Sequence, residues 1–489
     1  MPNNILKIIS ISSEVAPFSK TGGLADVARS LPKALKRLGH DISIITPFYD
    51  PLINKQEYNL KTIFENITFK YSGRIIKFNV LRGFLMKNLP VYFIEVKDFF
   101  SGQKSLYGAE NENARFFIFN LASLELLKKL EAAPDIIHCH DWHSGLVPYL
   151  LKNEYKKESL FQKTKTIYTI HNLAFQLGHN WWEVPAGKKD FGKKKLPKFF
   201  SQDFENINFA KRAIINADII NTVSEQYRDE IMTKKFGQDL HRILKKRESR
   251  LFGIINGIDY REYNPAKDPN LFKNYDYKKI YRRKANKEVL QKKLDLTVDK
   301  NIPVIALTSR VTFQKGFELF NKILKPLLEN ELQIIIMGDG DKNYINELKK
   351  HNKKYSEKII WVPFKNNEML ETLIYAGSDI FLLPSHHEPC GINQLIAMRY
   401  GTIPVVRSVG GLYDTVENFD ARTKKGTGFS FKDFGSMSLF AAITRALENY
   451  YNKETWKMLV ARAMKQSNGW QIPAKKYIEL YKKALNNHI

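Results

Sequence analysis

Short β-rich runs alternate with helical patterns along this chain, and they do so in two separate series. That alternation constrains the fold more than any other feature. Strands joined through helices lie parallel in one sheet and are covered on both faces. The first series has candidate strands at residues 7–14, 41–47, 91–96, 135–141, 165–172 and 218–224. The second has them at 304–310, 332–338, 359–364, 379–385 and 403–409. Several are continuous apolar runs, as strands buried on both faces should be. After Gly22-Gly23, Leu24, Val27, Ala28, Leu31, Leu35 and Leu38 follow helical spacing, with Gly39 as a stop and Pro32 expected to kink or restart the helix. Two series predict two doubly wound parallel sheets, which suits a length of 489 residues at roughly 100–200 per domain. Ligands gather at the carboxyl ends of such strands, so two domains facing one another put the site in the cleft between them. Residues 261–293, rich in Lys, Asn and Tyr, read as an irregular connection into the second half.

Composition narrows the classes. Hydrophobic residues make up 43% of the chain, which excludes a disordered polymer. There is no run of eighteen or more apolar residues for a spanning helix. The early apolar stretch 8–15 reads as a first strand and not as a signal peptide. Only Cys139 and Cys390 occur, which fits a reducing cytoplasm. The formal net charge of +26 invites a nucleic-acid reading. The lysines, however, are dispersed over stretches such as 152–157, 188–198, 245–250, 278–287 and 349–354, and no nucleic-acid-binding motif accompanies them. Solvated basic faces are the expectation, with neither nucleic acid nor membrane as a partner.

The candidate chemistry sits at strand ends. Lys20-Thr21-Gly22-Gly23 follows the first strand and opens a helix, where glycines let backbone approach a ligand and free N–H groups face an anion. Arg310 and Lys315 follow a strand of the second series, and Glu388 follows another. Arg suits bidentate phosphate contact and Lys a point charge, so the two together can stabilise a departing diphosphate. His138, Cys139, His140, Asp141 and His143 look at first like zinc ligands, since His138 and His140 share one face of a strand.

The segment 20–27 (Lys-Thr-Gly-Gly-Leu-Ala-Asp-Val) resembles the signature loop of bacterial and plant glycogen and starch synthases. The likeness continues in order through Ser13-Glu14-Val15-Ala16-Pro17, His140-Asp141-Trp142-His143-Ser144-Gly145, Ile170-His171-Asn172-Leu173-Ala174-Phe175-Gln176 and Asn256-Gly257-Ile258-Asp259. It extends through Ser309-Arg310-Val311-Thr312-Phe313-Gln314-Lys315-Gly316, Glu388-Pro389-Cys390-Gly391 and Gly410-Gly411-Leu412, so that it spans nearly the whole chain.

The resemblance implies the GT-B fold, two Rossmann-like domains with a deep cleft. Their boundaries here are 1–250 on the acceptor side and 251–470 on the nucleotide-sugar side, with a last helix within 471–489 crossing back to the first domain. It implies a retaining α-1,4-glucan glucosyltransferase moving glucose from ADP-glucose to the non-reducing end of a primer, without metal or cofactor. By the same resemblance Arg310 and Lys315 clamp the diphosphate, Glu388 meets the donor sugar's hydroxyls, and His171 bonds near its 6-hydroxyl. Lys20, Gly22, Gly23, Asp26, Asp141, Asn172, Asn256, Cys390 and Gly391 line the substrate site. The His138–His143 cluster is then strand-end packing around Asp141, with no zinc.

Some positions depart from the family pattern. Ser309 stands where Gly is more usual, Leu177 separates Gln176 from Gly178, and His386-His387 replaces Arg-Phe before Glu388. Asn366 occupies the position of an aromatic that stacks on the base, which leaves UDP-glucose open as an alternative donor. Another acceptor, or an inactive glucan-binding homologue, are the other readings. Intact Lys20, His171, Arg310, Lys315 and Glu388 argue against inactivity. The sequence does not set the oligomeric state.

Overall fold

The computed structural model describes residues 5–364 and 367–486, except for the side chain of residue 368. The chain divides into two compact units. One comprises residues 1–256 with 470–489, and the other 257–469. Among the described residues no helix is long and apolar enough to cross a membrane.

In the first unit nine strands form one sheet. They are β1 (Lys7–Ile11), β2 (Asp41–Pro47), β3 (Lys61–Tyr71), β4 (Arg74–Met86), β5 (Leu89–Glu95), β6 (Ile136–His140), β7 (Lys165–Ile170), β8 (Ile219–Thr222) and β9 (Leu251–Gly253). Their order is β3-β4-β5-β2-β1-β6-β7-β8-β9. From β5 to β9 every pairing is parallel, as the alternation predicts. The hairpin β3–β4 is antiparallel, and it is an addition that the sequence reading did not place. The chain winds outward from β1 to β2 and then returns to lay β6 on β1's other side. The winding therefore reverses between β1 and β6, the point at which such sheets bind ligands.

The helix after the glycine loop, Gly23–Arg37, holds Pro32 inside it and does not restart there. It ends in a Schellman arrangement: Gly39 N–H donates to Lys36 O, His40 N–H donates to Leu35 O, and Gly39 takes φ +92°. Leu24, Val27, Leu31 and Leu35 from this helix are buried. Val27, Leu31 and Leu35 share one core cluster with Ile8, Ile136, Ile167 and Ile219 from four strands. Trp470, Ala474, Tyr477, Leu480 and Tyr481 join the same cluster from the helix Gln471–Leu485 and the residue before it. The last helix was expected within 471–489, and residues 487–489 lie outside the described residues.

The second unit's sheet has six parallel strands, in the order β12-β11-β10-β13-β14-β15. They are β10 (Val304–Thr308), β11 (Gln333–Met337), β12 (Ile359–Val362), β13 (Ile380–Leu383), β14 (Ile403–Arg407) and β15 (Phe429–Phe431). Every residue of β10, β11, β13 and β14 is buried, which accounts for their largely apolar sequences, with Thr308, Gln333 and Arg407 only at strand ends. Here the winding reverses between β10 and β13. Residues 261–293, expected to be irregular, end in the helix Arg283–Lys293, which buries Leu290.

Candidate active site

At the first unit's reversal point, β1 leads through buried Ser12 and Ser13 to Glu14. Glu14 Oε2 accepts from Thr21 N at 2.5 Å and from Thr21 Oγ1 at 2.9 Å, so this carboxyl pins the glycine loop. Burial pushes Glu14 up from its ordinary 4.5 to about 7, against the opposing pull of the Thr21 bonds. Lys20, exposed in the same loop, pairs with Asp26 at 2.9 Å. Gly22 is extended, and a Cβ added to it would meet nothing within 4 Å. The glycine therefore leaves the loop's backbone open at the start of the helix, and no side chain caps that helix.

Across the reversal, β6 ends at His140 and Asp141 follows with φ 56° and ψ −179°, a conformation that side chains avoid. Its Oδ1 accepts from His171 N at 2.7 Å and Asn172 N at 3.4 Å, which fixes the turn after β7. Burial raises Asp141 to about 7. His171 is half-buried, and its imidazole is held down to about 3 by burial. Its Nε2 lies 3.0 Å from His140 Nδ1, and His140 Nε2 lies 3.2 Å from Ser10 Oγ. His138 is bonded on both nitrogens, by Tyr481 Oη at 2.9 Å and Thr169 Oγ1 at 2.7 Å. His138 and His140 thus have organic partners on both sides, and no group of three or more metal-type ligands occurs among the described residues. Asn256 ends the first unit's longer segment, buried, with no hydrogen-bond partner for its Oδ1 among the described residues.

The second unit's reversal point carries the charge. Arg310 is exposed just beyond β10. Lys315 ends the turn Phe313–Lys315, and its Nζ lies 2.5 Å from Glu388 Oε2. Ser385 Oγ donates to the same carboxylate oxygen at 3.1 Å. Gly316 makes this approach possible. It sits at φ +80°, and a Cβ there would fall 2.1 Å from Pro384 O, in the loop that leads to Glu388. Arg407 braces that loop from below, with Nη1 donating to Ser385 O at 3.3 Å and His386 O at 2.6 Å. On the other side Gly411 N–H donates to Glu388 O at 3.1 Å, and a side chain at Gly410 would strike that same oxygen at 2.0 Å. Cys390 is buried beside Gly391. His387 is held down to about 4, chiefly by burial.

The structure thus gathers Lys20, Gly22, Gly23, Asp26, Asp141, His171 and Asn172 at one sheet's reversal point. It gathers Arg310, Lys315, Glu388, Cys390 and Gly391 at the other's. Asn366, the departure at the base position, lies outside the described residues. Leu177, another departure, is buried against Trp181 and Val184, so the extra residue before Gly178 serves packing. Glu14, Ser385 and His140 received no site role from the sequence. An acid directly following a buried strand at the glycine loop was the one available signal for Glu14. His140 gave none, because its partners lie 130 and 31 residues away.

Residues 7–246 match the starch synthase catalytic domain family, and residues 288–466 match glycosyl transferases group 1. The chain is 39% identical over 489 residues to a glycogen synthase of Geotalea daltonii, covering 98% of this chain and 99% of that one. It is 39% identical over 487 residues to the glycogen synthase of Thermotoga maritima, with the same coverage of 98% and 99%. Among solved structures it matches the catalytic domain of starch synthase IV from Arabidopsis thaliana, bound to ADP and acarbose. The TM-score is 0.87 at 32% identity, over 99% of this chain and 100% of that chain. Sucrose-phosphate synthase from Thermosynechococcus elongatus shares the fold, with a TM-score of 0.63 at 17% identity over 99% and 100% of the two chains.

Proposed function

Since the chain belongs to the glycogen and starch synthase family of GT-B glycosyltransferases, and so extends a glucan from a nucleotide-sugar donor, we propose that its donor is ADP-glucose. Glucose passes to the non-reducing end of an α-1,4-glucan with retention of configuration. Support for adenine comes from the ADP bound to the similar starch synthase IV. The observation that carries the site assignment is the Lys315–Glu388 pair at the β10/β13 reversal, with Arg310 exposed just beyond β10.

As the bond from glucose to diphosphate stretches, negative charge grows on the leaving oxygens. Arg310 and Lys315 offer fixed positive charge there, worth most when held in place beforehand. Lys315 reaches its position already paired to Glu388, so an arriving diphosphate shares or displaces that partner. Glu388, released or not, accepts hydrogen bonds from the donor sugar's hydroxyls. Its buried carboxylate also opposes the positive charge that develops at the anomeric carbon. Lys20, Asp26 and the open backbone at Gly22 and Gly23 meet the donor, and His171, Asp141 and Asn172 meet the sugar. Asn256, Cys390 and Gly391 line the same substrate.

Glucosyl incorporation into glycogen, with ADP-glucose and UDP-glucose run side by side, tests this reading. Transfer from ADP-glucose is expected. Transfer from UDP-glucose alone would overturn the donor and keep the enzyme class.

A further inference from the structure

His140 and His171 stand at the carboxyl ends of the neighbouring parallel strands β6 and β7. Their facing nitrogens, Nδ1 of His140 and Nε2 of His171, are 3.0 Å apart. Burial holds both imidazoles uncharged, His171 at about 3 and His140 well below the usual range. Two neutral rings share a single proton along such a line, so one donates and the other accepts. Which does which is set at the far side of His140. There Nε2 faces Ser10 Oγ at 3.2 Å, and Ser10 is 2% exposed with no other side-chain bond among the described residues. Were the His140 proton on Nε2, it would point at Ser10, and the serine's hydroxyl hydrogen would be buried without an acceptor. A buried donor left unmatched is the costlier error. With Ser10 donating to Nε2, the hydroxyl hydrogen is used and His140 carries its proton on Nδ1. His171 Nε2 must then accept, which leaves His171 protonated on Nδ1. That nitrogen has no bond within the protein among the described residues.

We infer that Ser10 and His140 form a directed relay that holds His171 as its Nδ1–H tautomer, so that His171 acts on the substrate as a hydrogen-bond donor. His140 is a positioning residue in this relay. Its own orientation is held by His138, whose ring lies 4.1 Å from it at 32° and is itself fixed at both nitrogens. Turning the His140 ring would break both of its bonds at once. A donating His171 selects a lone pair on the sugar, such as a hydroxyl oxygen, and favours the same hydroxyl in its accepting role. The effect on turnover rests on the reading above, that His171 meets the donor sugar, whereas the tautomer does not.

The test uses the full chain labelled with 15N-histidine at pH 7.5, with the His171 signals identified by their loss in His171→Asn. The expected spectrum has His171 Nδ1 protonated and Nε2 bare, and the reverse pattern would overturn the relay. In Ser10→Ala and His140→Phe the His171 signals should shift toward a mixture of tautomers. His140→Phe should lower turnover about 10- to 100-fold, the usual range for an outer partner of a site residue, with the KM for glycogen unchanged. His140→Asn places an amide donor near the lost Nδ1 and should restore much of that turnover. Wild-type turnover in His140→Phe would overturn the positioning role. Wild-type turnover in His171→Ala, which leaves no donor at that position, would instead overturn the contact with the sugar, while the tautomer would stand or fall on the spectrum alone.

Discussion

The two reversal points have the same topology and opposite chemistry. At β1/β6 three ionisable groups are pushed toward neutrality by burial, beside the exposed Lys20–Asp26 pair: Glu14 and Asp141 rise to about 7, and His171 falls to about 3. At β10/β13 stand an exposed Arg310 and a tight ion pair, Lys315 with Glu388. Neutral, fixed hydrogen-bonding groups suit sugar hydroxyls, and held charges suit a diphosphate. One architecture used twice thus carries two kinds of buried carboxyl: among the described residues Glu14 and Asp141 have no cation against them, whereas Glu388 is paired with Lys315.

The comparison breaks most sharply at the charged end. Arg310→Ala or Lys315→Ala should each lower turnover by about 10²–10³, on the scale of a lost transition-state donor, while thermal unfolding stays near wild type in Arg310→Ala and falls in Lys315→Ala, which leaves buried Glu388 without its cation. Near-normal turnover in both would end the diphosphate assignment. Glu388→Gln keeps shape and removes charge, and it leaves Lys315 facing a neutral amide. Turnover should drop by about 10² or more, and wild-type rates would remove Glu388 from the site.

The neutral end is sharpened by pH. Between pH 4.5 and 7 native Glu14 holds a proton that the unfolded chain has lost, so its contribution to stability falls as pH rises. Glu14→Gln removes that loss. Its stability relative to wild type should therefore increase from pH 5 to pH 7.5, by up to about 3 kcal/mol for a shift of this size. Urea unfolding of both proteins at the two pH values checks this, and a gap that does not change with pH would mean that Glu14 is ionised in the fold. The smallest effect is Tyr481→Phe, which strips one hydrogen bond from buried His138. It should cost about 1–2 kcal/mol, seen as a slightly lower melting temperature, with turnover close to wild type.

Much of this was legible because most of the second unit's strands are short, mainly apolar runs that end abruptly. Arg310 and Glu388 are the first charged residues beyond β10 and β13, and a polar residue leaving a buried run marks a strand's carboxyl end. His171 was legible through its motif, Ile170-His171-Asn172, at the end of β7, whose own sequence mixes Lys and Thr with apolar residues. The hairpin β3–β4 was not. Lys61–Tyr71 exposes residues on both faces and carries charges throughout, so neither alternation nor an apolar run marks it. Phe429–Phe431 is too short to show any period. The roles of Glu14 and His140 depend on atoms brought together by the sheet order, and no local pattern encodes that order. The basic pair's environment was partly hidden too: Gly316 is legible as a turn, but its contact with Pro384 arises only once β10 and β13 lie side by side.

The helix Gln471–Leu485 has a consequence for the chain's birth. It supplies Tyr477 and Tyr481 to a core whose strand members lie hundreds of residues upstream, and the Tyr481–His138 bond spans 343 positions. Residues 257–469, by contrast, form a compact unit from one continuous stretch. On a ribosome the later-made unit can therefore mature first. The earlier-made one waits with an apolar groove uncovered until residue 485 emerges, because closing so long a loop must precede the contacts that reward it. Synthesis that stops at residue 469 would release a chain with one finished half and one sticky half.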